Sequence, residues 1–457
     1  MVELFAHQAE LYDRTSTLRV TGRVVEVTGL TVLADGLRLP VGSMCEITRI
    51  HDEPIAAQIV GVRGSRAVLM TLRDPKGVSH GDAVRSAASL QHVAVGRQML
   101  GSVLDGMGRP IGGRTDFAVE AHYPVFREAP RALDRSPIDR SLATGVRCID
   151  AFTTIGIGQR MGIFAGTGVG KSVLMGMISR YTSADVTVVA LVGERGREVG
   201  DFLRKDLGED GRAKTVMVVS TSDESPVLRV RAGFVATAVA EYFRDLGNDV
   251  LLMMDSTTRM AMAQRQIGLS AGEPPATKGY PPSVFSLLPT LMERSGRCGA
   301  GSITGIYTVL VEGDDLTEPI ADAMRGILDG HIWLSRDLAN RTHFPAISIL
   351  ESVSRVMPDV VEKRELDAAR MIRRVLANWA DMEDLVNIGA YAKGSNDEFD
   401  VALEMKPRID EFLQQDMHEA STLIDTQDRL VELADEIRTV SDGIVGRKGA
   451  EAAASAA

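Results

Sequence analysis

The chain has 457 residues, a length that corresponds to roughly two to four domains. Hydrophobic residues make up 44% and charged residues 25%, as in an ordinary globular protein with a sizeable core. The 62 acidic residues outnumber the 51 basic residues, and the net charge of −11 disfavours a nucleic-acid partner, because phosphate neutralisation needs clustered lysine and arginine. Residues 371–450 contain 17 acidic and 9 basic residues, so this one end carries −8 of the −11.

Cysteine, histidine and hydropathy patterns exclude further classes of protein. The chain has three cysteines, Cys45, Cys148 and Cys298, and none of them forms a CxxC pair. An odd and sparse set of this kind argues for a reducing compartment and against a disulfide framework. The eight histidines form no HxxxH motif or His/Cys cluster, so no transition-metal site is expected. At the N-terminus acidic residues precede the first arginine, which is unlike a signal peptide. The longest apolar runs are far shorter than the ~20 residues of a membrane span.

Residues 1–92 divide into an amphipathic arm and a β domain. Leu4, Leu11 and Leu18 repeat every seven residues at 1–18, which predicts a short helix that either packs on its own domain or binds a partner. At 19–92 valine and leucine alternate with polar residues between glycine turns, which predicts a small β-barrel or sandwich. This stretch has no phenylalanine, tyrosine or tryptophan on which bases could stack, so a barrel that binds single-stranded nucleic acid is disfavoured.

Residues 93–370 are predicted to form an α/β domain. A connector rich in glycine and proline at 93–140 is expected to run onto the surface of this domain. The runs VTVVALVG, TVMVVST, DVLLMMD, SITGIYTVLVE and AISILE then predict fully buried strands of a mostly parallel sheet with crossover helices. After residue 370 the pattern predicts a helical C-terminal domain at 371–442, and the small and polar residues at 443–457 predict a disordered tail.

A phosphate-binding loop is predicted where a strand, a glycine-rich loop and a helix follow one another at 161–181. The loop AGTGVGKS and the residue after it are Ala165, Gly166, Thr167, Gly168, Val169, Gly170, Lys171, Ser172 and Val173. Backbone N–H groups of such a loop can point at one phosphate cluster, Lys171 adds positive charge for the β- and γ-phosphates, and the Ser172 hydroxyl can bind Mg²⁺. The first glycine of the motif is here Ala165, which is harmless if it ends the strand with φ below zero.

Two further strands are predicted to end in carboxylates beside this loop. The strand at 250–254 leads into Asp255, the position that an Mg²⁺-ordering carboxylate needs. The strand at 187–192 leads into GERGRE, where Glu194 would lie in the crevice at which α/β sheets bind ligands and could polarise an attacking water. A surface salt-bridge cluster is the alternative interpretation of the GERGRE charges.

With these motifs the chain resembles the catalytic subunits of rotary ATPases, and among them the flagellar type III export ATPases, over roughly residues 20–440. The resemblance depends on GRQMLGSVLDGMGRPI at 96–111, AGTGVGKS at 165–172, VGERGREV at 192–199, MMDSTTRMA at 253–261, AGEPPATKGYPPSVF at 271–285, GSITGIYTVLVEGDDLTEP at 301–319 and FPAISILESVSRV at 344–356. It implies a P-loop (RecA-like) ATPase core with a parallel sheet between an N-terminal β-barrel and a C-terminal helical domain.

The resemblance also implies roles for individual residues. It assigns the phosphate lysine to Lys171, one Mg²⁺ ligand to Ser172 and the Walker-B carboxylate to Asp255. The other matches are Glu194 as the catalytic glutamate, Arg195 and Arg259 at the phosphates, Glu198 as a carboxylate that acts on Mg²⁺ through water, Phe344 on the adenine ring, and Arg355 as an arginine finger that reaches a neighbouring subunit. The family's PAxD text reads PAIS here, so Ser348 receives no role.

The presence of both the glutamate and the finger arginine predicts self-association. In ATP synthases the two residues lie on different kinds of chain, whereas this chain carries both Glu194 and Arg355. It can therefore complete its own sites in a homo-oligomeric ring, as in the family's homohexamers. A cross-subunit finger is worth ~10³–10⁵ in rate in other phosphoryl-transfer systems, so an isolated subunit is expected to be a poor ATPase.

The implied function is Mg²⁺-dependent ATP hydrolysis that energises the export of flagellar proteins. The resemblance further implies a stator-like regulator at the N-terminal arm, a coiled-coil stalk protein, the export gate in the membrane and chaperone–substrate complexes as partners. It implies a cytoplasmic location, peripheral at the inner face of the cytoplasmic membrane. The ATPase of a virulence injectisome uses the same chemistry and stays an alternative. The acidic balance disfavours a hexameric nucleic-acid translocase, and the presence of Glu194 disfavours a non-catalytic ring subunit.

The uneven charge leads to a prediction about the stalk. The family resemblance implies that the helical domain faces the stalk and the export gate. We hypothesise that the charge of −8 at residues 371–450 steers basic helical partners into the ring. A solvated helix face is the alternative. Steering predicts that stalk association slows as ionic strength rises, because salt screens charges beyond about 10 Å at 0.1 M. Association rates that stay constant across a salt series would contradict it.

Overall fold

A computed structural model describes residues 20–50, 52–87, 91–311, 313 and 317–455 of the chain. A closed β-barrel, a large mixed sheet covered by helices and a group of long helices follow one another, which confirms the predicted fold class. The predicted amphipathic arm at 1–18 lies outside the described residues. In these ranges no helix is both long and apolar enough to cross a membrane.

The barrel is built from six antiparallel strands. They are β1 (Thr21–Thr28), β2 (Thr31–Asp35), β3 (Met44–Ile47), β4 (Ile55–Arg63), β5 (Arg66–Thr71) and β6 (Ala83–Ser86), in the closed order β1-β2-β5-β4-β3-β6. The alternation of apolar and polar residues in the sequence becomes an inner and an outer face, since Val24, Ile47 and Ile59 are buried inside the barrel. Four short strands after the barrel form two ladders, β7 (His92–Val95) with β10 (Ala121–Pro124), and β11 (Ser141–Leu142) with β12 (Ile155–Gly156).

Ten strands form the large sheet. They are β8 (Ser102–Asp105), β9 (Pro110–Gly113), β13 (Arg160–Ala165), β14 (Val186–Glu194), β15 (Thr215–Thr221), β16 (Asp249–Asp255), β17 (Gly296–Cys298), β18 (Gly301–Leu310), β19 (Gly330–Leu334) and β20 (Ile347–Ser354). Their order is β20-β19-β13-β18-β16-β14-β15-β8-β9, with β17 paired to β18. The seven strands from β19 to β8 in this order run parallel, so their carboxyl ends meet at one edge.

Helices cover this sheet and form the C-terminal region. They are α1 (Arg147–Phe152), α2 (Lys171–Tyr181), α3 (Gly196–Asp201), α4 (Gly208–Ala213), α5 (Pro226–Asp245), α6 (Thr257–Ala271), α7 (Pro282–Met292), α8 (Pro319–Ile327), α9 (Arg336–Asn340), α10 (Met357–Val360), α11 (Lys363–Asn387), α12 (Asp397–Leu413) and α13 (Leu423–Ser455). A π-helical turn, Phe202–Leu207, joins α3 to α4. Every residue of β14 is buried, because helices lie on both faces of the sheet.

Two predictions about the sheet need correction. The run AISILE forms the start of β20, which pairs antiparallel with β19 and is exposed along part of its length, since it is the last strand of the sheet. The glycine- and proline-rich connector does not simply cross the surface. It supplies β8, which extends the parallel sheet beside β15, and β9, which folds back on β8 as a hairpin.

The C-terminal region differs from the prediction at both of its ends. The boundary predicted at residue 371 falls inside α11, which begins at Lys363. The segment at 443–457 was predicted to be disordered, yet α13 continues through it to Ser455, while residues 456–457 lie outside the described part. The composition that suggested disorder is also rich in alanine, the residue with the highest helix propensity.

A buried ion pair ties the connector to two helices of the sheet domain. Arg294, which follows α7, donates Nε and Nη2 to the two carboxylate oxygens of Glu241 on α5 at 2.9 and 2.7 Å. Its Nη1 donates to the carbonyl of Val125 at 2.7 Å. The side chains of Arg294 and Glu241 are 0% and 1% exposed. The two buried charges are therefore paired directly with each other.

Removing the arginine of this pair is expected to cost about 3–5 kcal/mol of unfolding free energy, because Arg294→Met leaves the Glu241 carboxylate buried and unpaired. Urea unfolding followed by the fluorescence of Trp333 in β19, with Trp379 replaced by phenylalanine, measures the change. The matched control is Arg370→Met, which removes an exposed arginine paired with Asp367 and is expected to cost less than about 1 kcal/mol. Equal effects of the two substitutions would contradict the argument.

Candidate active site

The glycine-rich loop lies between β13 and α2, as the sequence predicted. Ala165 is the last, extended residue of β13 and is fully buried, so the side chain in place of the motif's first glycine is accommodated without strain. Gly168 and Gly170 have φ angles of 79° and 91°, which glycine adopts readily and other residues rarely do. Gly170 immediately precedes α2, so the free N–H groups and the positive end of that helix border the loop.

Lys171, the first residue of α2, contacts carboxylates at the ends of two other strands. Its Nζ donates to Oδ1 of Asp255, the last residue of β16, and lies 3.9 Å from Oε1 of Glu194, the last residue of β14. Thr308 on β18 donates its hydroxyl to the same Asp255 oxygen at 2.7 Å. The side chains of Lys171, Asp255 and Glu194 are 12%, 5% and 7% exposed. They form one buried charge cluster at the carboxyl edge of the sheet.

Arg259 adds a second cation to this cluster. Ser256 accepts a hydrogen bond from the Arg259 N–H and so caps α6 directly after Asp255. The cap places Arg259 in the first turn of α6, where its Nη2 lies 3.3 Å from Oε2 of Glu194. Its Nη1 donates to the carbonyl of Gly193, which keeps the guanidinium beside the end of β14.

Glu194 is the group in this cluster whose proton equilibrium is most altered. Burial, a hydrogen bond with Glu198 and the charge of Asp255 raise its pKa to about 8, against the opposite influence of Lys171 and Arg259. The same hydrogen bond lowers the pKa of Glu198. No described residue donates a hydrogen bond to the buried Oε1 of Glu194. A carboxyl group with a free acceptor atom and a pKa near neutrality is suited to binding and polarising a water.

The predicted Mg²⁺ ligands are brought together only in part. Ser172 is exposed at the start of α2, and Glu198 on α3 has its Oε1 3.9 Å from Nη1 of Arg195. Arg195 itself is 77% exposed and does not join the buried cluster. Across the described ranges, no group of three or more His, Cys, Asp or Glu residues is arranged to hold a metal. Mg²⁺ usually takes one or two protein ligands and completes its shell with water and phosphates, so a hydroxyl and Asp255 fit a metal that arrives with a nucleotide.

A cavity of about 360 Å³ lies beside the phosphate loop. Its lining is mostly apolar and consists of Val169, Gly170, Val173, Leu174, Met177, Leu334, Phe344, Pro345, Ala346, Gln415, Asp416 and Met417. The ring of Phe344 lies next to Gly170 and is 45% exposed, so one face is available for stacking. The size, the apolar walls and the half-exposed ring suit a purine base whose phosphates extend over the loop.

Arg355 does not reach the site of its own chain. In the parallel pair β13 and β19, Leu334 lies opposite Ala165 at the end that carries the phosphate loop. The N–H of Arg355 bonds to the carbonyl of Asp329, just before β19 begins. Five residues separate Asp329 from Leu334, which corresponds to roughly 16 Å at ~3.3 Å per residue. The exposed Arg355 therefore lies at the amino edge of the sheet, far from the phosphate loop of its own chain.

Several residues around the site were not found from the sequence. Thr308 orients Asp255 from the middle of a buried strand, and Arg229 on α5 packs beside Gly193 and Arg259. Residues 415–417, which complete the cavity wall, come from the connection between α12 and α13. A threonine in a strand and a glutamine after a helix carry no local signal. They become recognisable only when the chain brings distant segments together.

The fold and the site define a P-loop ATPase, and comparison with known proteins agrees with this class. The nucleotide-binding domain of the ATP synthase alpha/beta family matches residues 145–354, and the T3SS EscN ATPase C-terminal domain matches residues 361–432. Proteins named flagellum-specific ATP synthase are 49% identical in Treponema pallidum, over 90% of this chain and 92% of that protein, and 48% identical in Salmonella typhimurium, over 88% and 91%.

Solved structures and a further relative extend the comparison. The assembled ATPase EscN of the enteropathogenic E. coli type III secretion system is 42% identical, with a TM-score of 0.85 over 90% of this chain and 100% of that chain. A type 3 secretion system ATPase of Xanthomonas euvesicatoria is 45% identical over 91% of this chain and 94% of that protein. The chain belongs to the ATP synthase alpha/beta family, among its flagellum-specific and type III secretion ATPases, and is an ATP-hydrolysing enzyme.

The raised pKa of Glu194 leads to a prediction about pH. A folded-state pKa of about 8 means that the free enzyme holds Glu194 mostly protonated at pH 7, and that the carboxylate forms as pH rises through about 8. Because kcat/KM reports the ionisation of the free enzyme, kcat/KM for ATP with saturating Mg²⁺ is expected to rise between pH 7 and about 9. The residual activity of Glu194→Gln should lack this rise. A wild-type profile that is flat over this range would contradict the assignment.

Proposed function

We propose that the protein hydrolyses ATP with Glu194 as the residue that orients the attacking water, in order to energise type III export of flagellar proteins. The observation that supports the chemistry most directly is the buried cluster of Lys171, Asp255 and Glu194, which joins the phosphate loop to the ends of two neighbouring strands. Arg195 and Glu198 form an exposed ion pair, as the surface salt-bridge interpretation of the GERGRE charges expects. That interpretation does not account for Glu194, whose side chain is 7% exposed and lies in the cluster.

The proposed roles of the residues follow from their positions. Lys171 exchanges its contact with Asp255 for the β- and γ-phosphates, and the free N–H groups at the start of α2 add positive potential to the same place. Arg259, held at 3.3 Å from Glu194, orients that carboxylate and can turn to the γ-phosphate as charge develops. The free Oε1 of Glu194 accepts a hydrogen bond from the water and so directs its oxygen at the phosphorus.

ATP is proposed to enter as its Mg²⁺ complex. Ser172 would supply a hydroxyl ligand, and Asp255 and Glu198 would act through metal-bound water. When bound, the metal neutralises charge on the phosphates. The base would occupy the cavity beside Phe344, with Val169 and Val173 on the loop side of the ring. Gly166, Thr167, Gly168 and Gly170 would present the backbone of the loop to the phosphates. Arg195, which is exposed, would have to turn inward to contact phosphate.

The proposed active form is a homo-oligomeric ring. Its support is the distance of Arg355 from its own phosphate loop, which leaves each site without a finger unless a neighbour supplies one. The similar ATPase EscN has been solved in assembled form and in complex with its central stalk EscO, at TM-scores of 0.85 and 0.83. A ring of this chain around a coiled-coil stalk is accordingly proposed.

The flagellar assignment follows the names of similar proteins, among which flagellum-specific ATP synthases reach 49% identity and a type 3 secretion system ATPase 45%. The injectisome ATPase remains the second candidate. A deletion strain separates the two, because loss of motility would support the flagellar function and loss of effector secretion would support the injectisome function. The stator-like regulator, the export gate, the chaperone–substrate complexes and a position at the inner face of the cytoplasmic membrane rest on the family resemblance.

A mixing experiment tests the shared site. Glu194→Gln and Arg355→Ala chains are each expected to be almost inactive, because one lacks the water-orienting carboxylate and the other lacks the finger. In rings formed from equal amounts of both, one half times one half of the interfaces, about a quarter, pair an intact Glu194 with an intact Arg355. ATPase activity should therefore recover to at most about a quarter of the wild-type value.

The matched control is the chain with both substitutions. Mixed with either single variant, it restores no interface that has both residues, so activity should stay at the level of the single variants. Native mass spectrometry of chains with different tags would establish that the rings contain both variants. Mixed rings without recovery would contradict the assignment of Arg355 as the finger.

A further inference from the structure

Arg147 is a buried arginine far in sequence from the segment that it holds. It is the first residue of α1 and only 3% exposed. Its guanidinium donates Nε to the carbonyl of Phe412 at 3.1 Å, Nη2 to the carbonyl of Gln414 at 2.5 Å, and Nη1 to the carboxylate of Glu419. All three partners belong to the end of α12 and the connection that follows it. Arg147 therefore fixes this connection against the sheet domain.

Gln415 is the second half of the same arrangement. Its Oε1 accepts the backbone N–H of Arg147, and its Nε2 donates to the carbonyls of Gly145 and Glu419, each at 2.8 Å. Its own N–H donates to the carbonyl of Phe344 at 3.0 Å. Every polar group of this buried amide is thus used within the protein. The backbone of the connection is thereby attached directly to the residue that is proposed to stack on the base.

The connection held in this way forms one wall of the base cavity. Gln415, Asp416 and Met417 line the cavity, opposite Val169 and Leu174. Arg147 is not part of the lining, so it can influence a bound base only through the residues that it holds. At the far end of the wall, Arg180 and Tyr181 in the last turn of α2 both donate to the carbonyl of Met417.

We propose that Arg147 is a positioning residue for nucleotide binding: through the bonds of its guanidinium to the Gln414 carbonyl and the Glu419 carboxylate, it holds residues 414–417 as the wall against which the base packs. The inference rests on the proposed function, since it assumes that the cavity receives the base. It predicts that the helical C-terminal region contributes to binding of the base and not of the phosphates. The phosphate cluster of Lys171, Asp255 and Glu194 shares no contact with Arg147.

The test compares two ligands that differ in the base. Mg²⁺–ADP needs the cavity wall, whereas Mg²⁺–tripolyphosphate uses only the loop. In Arg147→Met the dissociation constant for ADP is expected to rise about tenfold, because the connection loses the hydrogen bonds that the guanidinium donates to it, while that for tripolyphosphate should change less than about twofold. Arg147→Lys keeps a charge for Glu419 without the planar fork and should lie between wild type and Arg147→Met.

Two further variants keep the experiment decisive. Arg408→Met removes an exposed arginine that bridges α12 to α13 through Glu436, away from the cavity, and should leave both dissociation constants unchanged. If Arg147→Met does not fold, Glu419→Gln can be used instead, because it weakens the ion pair between Arg147 and the half-exposed Glu419. The dissociation constant for ADP should then rise about two- to threefold.

The outcomes separate this inference from the proposed function. The positioning role would be overturned if folded Arg147→Met bound ADP with an unchanged dissociation constant, or if its affinities for ADP and tripolyphosphate fell equally. The ATPase assignment would stand in both cases. A wild-type protein that bound neither ligand would instead overturn the nucleotide site itself. Isothermal titration calorimetry on the full chain, with circular dichroism to check folding, gives both constants.

Discussion

The site depends on a single geometric constraint, the meeting of the carboxyl ends of parallel strands at one edge of the sheet. β13, β16 and β14 end in Ala165, Asp255 and Glu194, and β18 lies between the first two. Parallel pairing keeps these ends in register, so residues that are almost a hundred positions apart become neighbours. The lysine at the start of α2 then has two carboxylates within reach.

Burial gives this arrangement its chemistry. A lysine and two carboxylates in water would all be ionised, but here helices on both faces exclude solvent and the carboxylates compete for few counter-charges. Glu194 is left with a raised pKa and a free acceptor atom, while Oδ1 of Asp255 accepts hydrogen bonds from both Lys171 and Thr308. Two carboxylates of the same cluster are therefore suited to different tasks, one to water and the other to phosphate-bound metal.

The two ends of the sheet connect the site to its surroundings in different ways. At the carboxyl edge the helical C-terminal region closes the base cavity, through a connection held by Arg147, Gln415 and Arg180. At the amino edge the backbone of Arg355 is bonded to Asp329, at the opposite end of β19 from the phosphate loop. A base in this cavity would contact a second region of the same chain, whereas transition-state stabilisation is proposed to involve a second chain.

The sequence by itself determined the parts of the molecule whose signals are local. Glycines at 168 and 170 are needed for positive φ, apolar runs are needed for buried strands, and alternation in the first ninety residues is needed for a barrel, so each could be predicted from its own neighbourhood. The co-occurrence of Glu194 and Arg355 also predicts that the arginine serves a neighbouring chain, and this assignment stays a prediction. Only the tertiary structure decided which strand lies at the sheet edge and that Thr308 and Gln415 lie beside the candidate site. These features depend on contacts between segments up to 270 residues apart, whose energies no local pattern records.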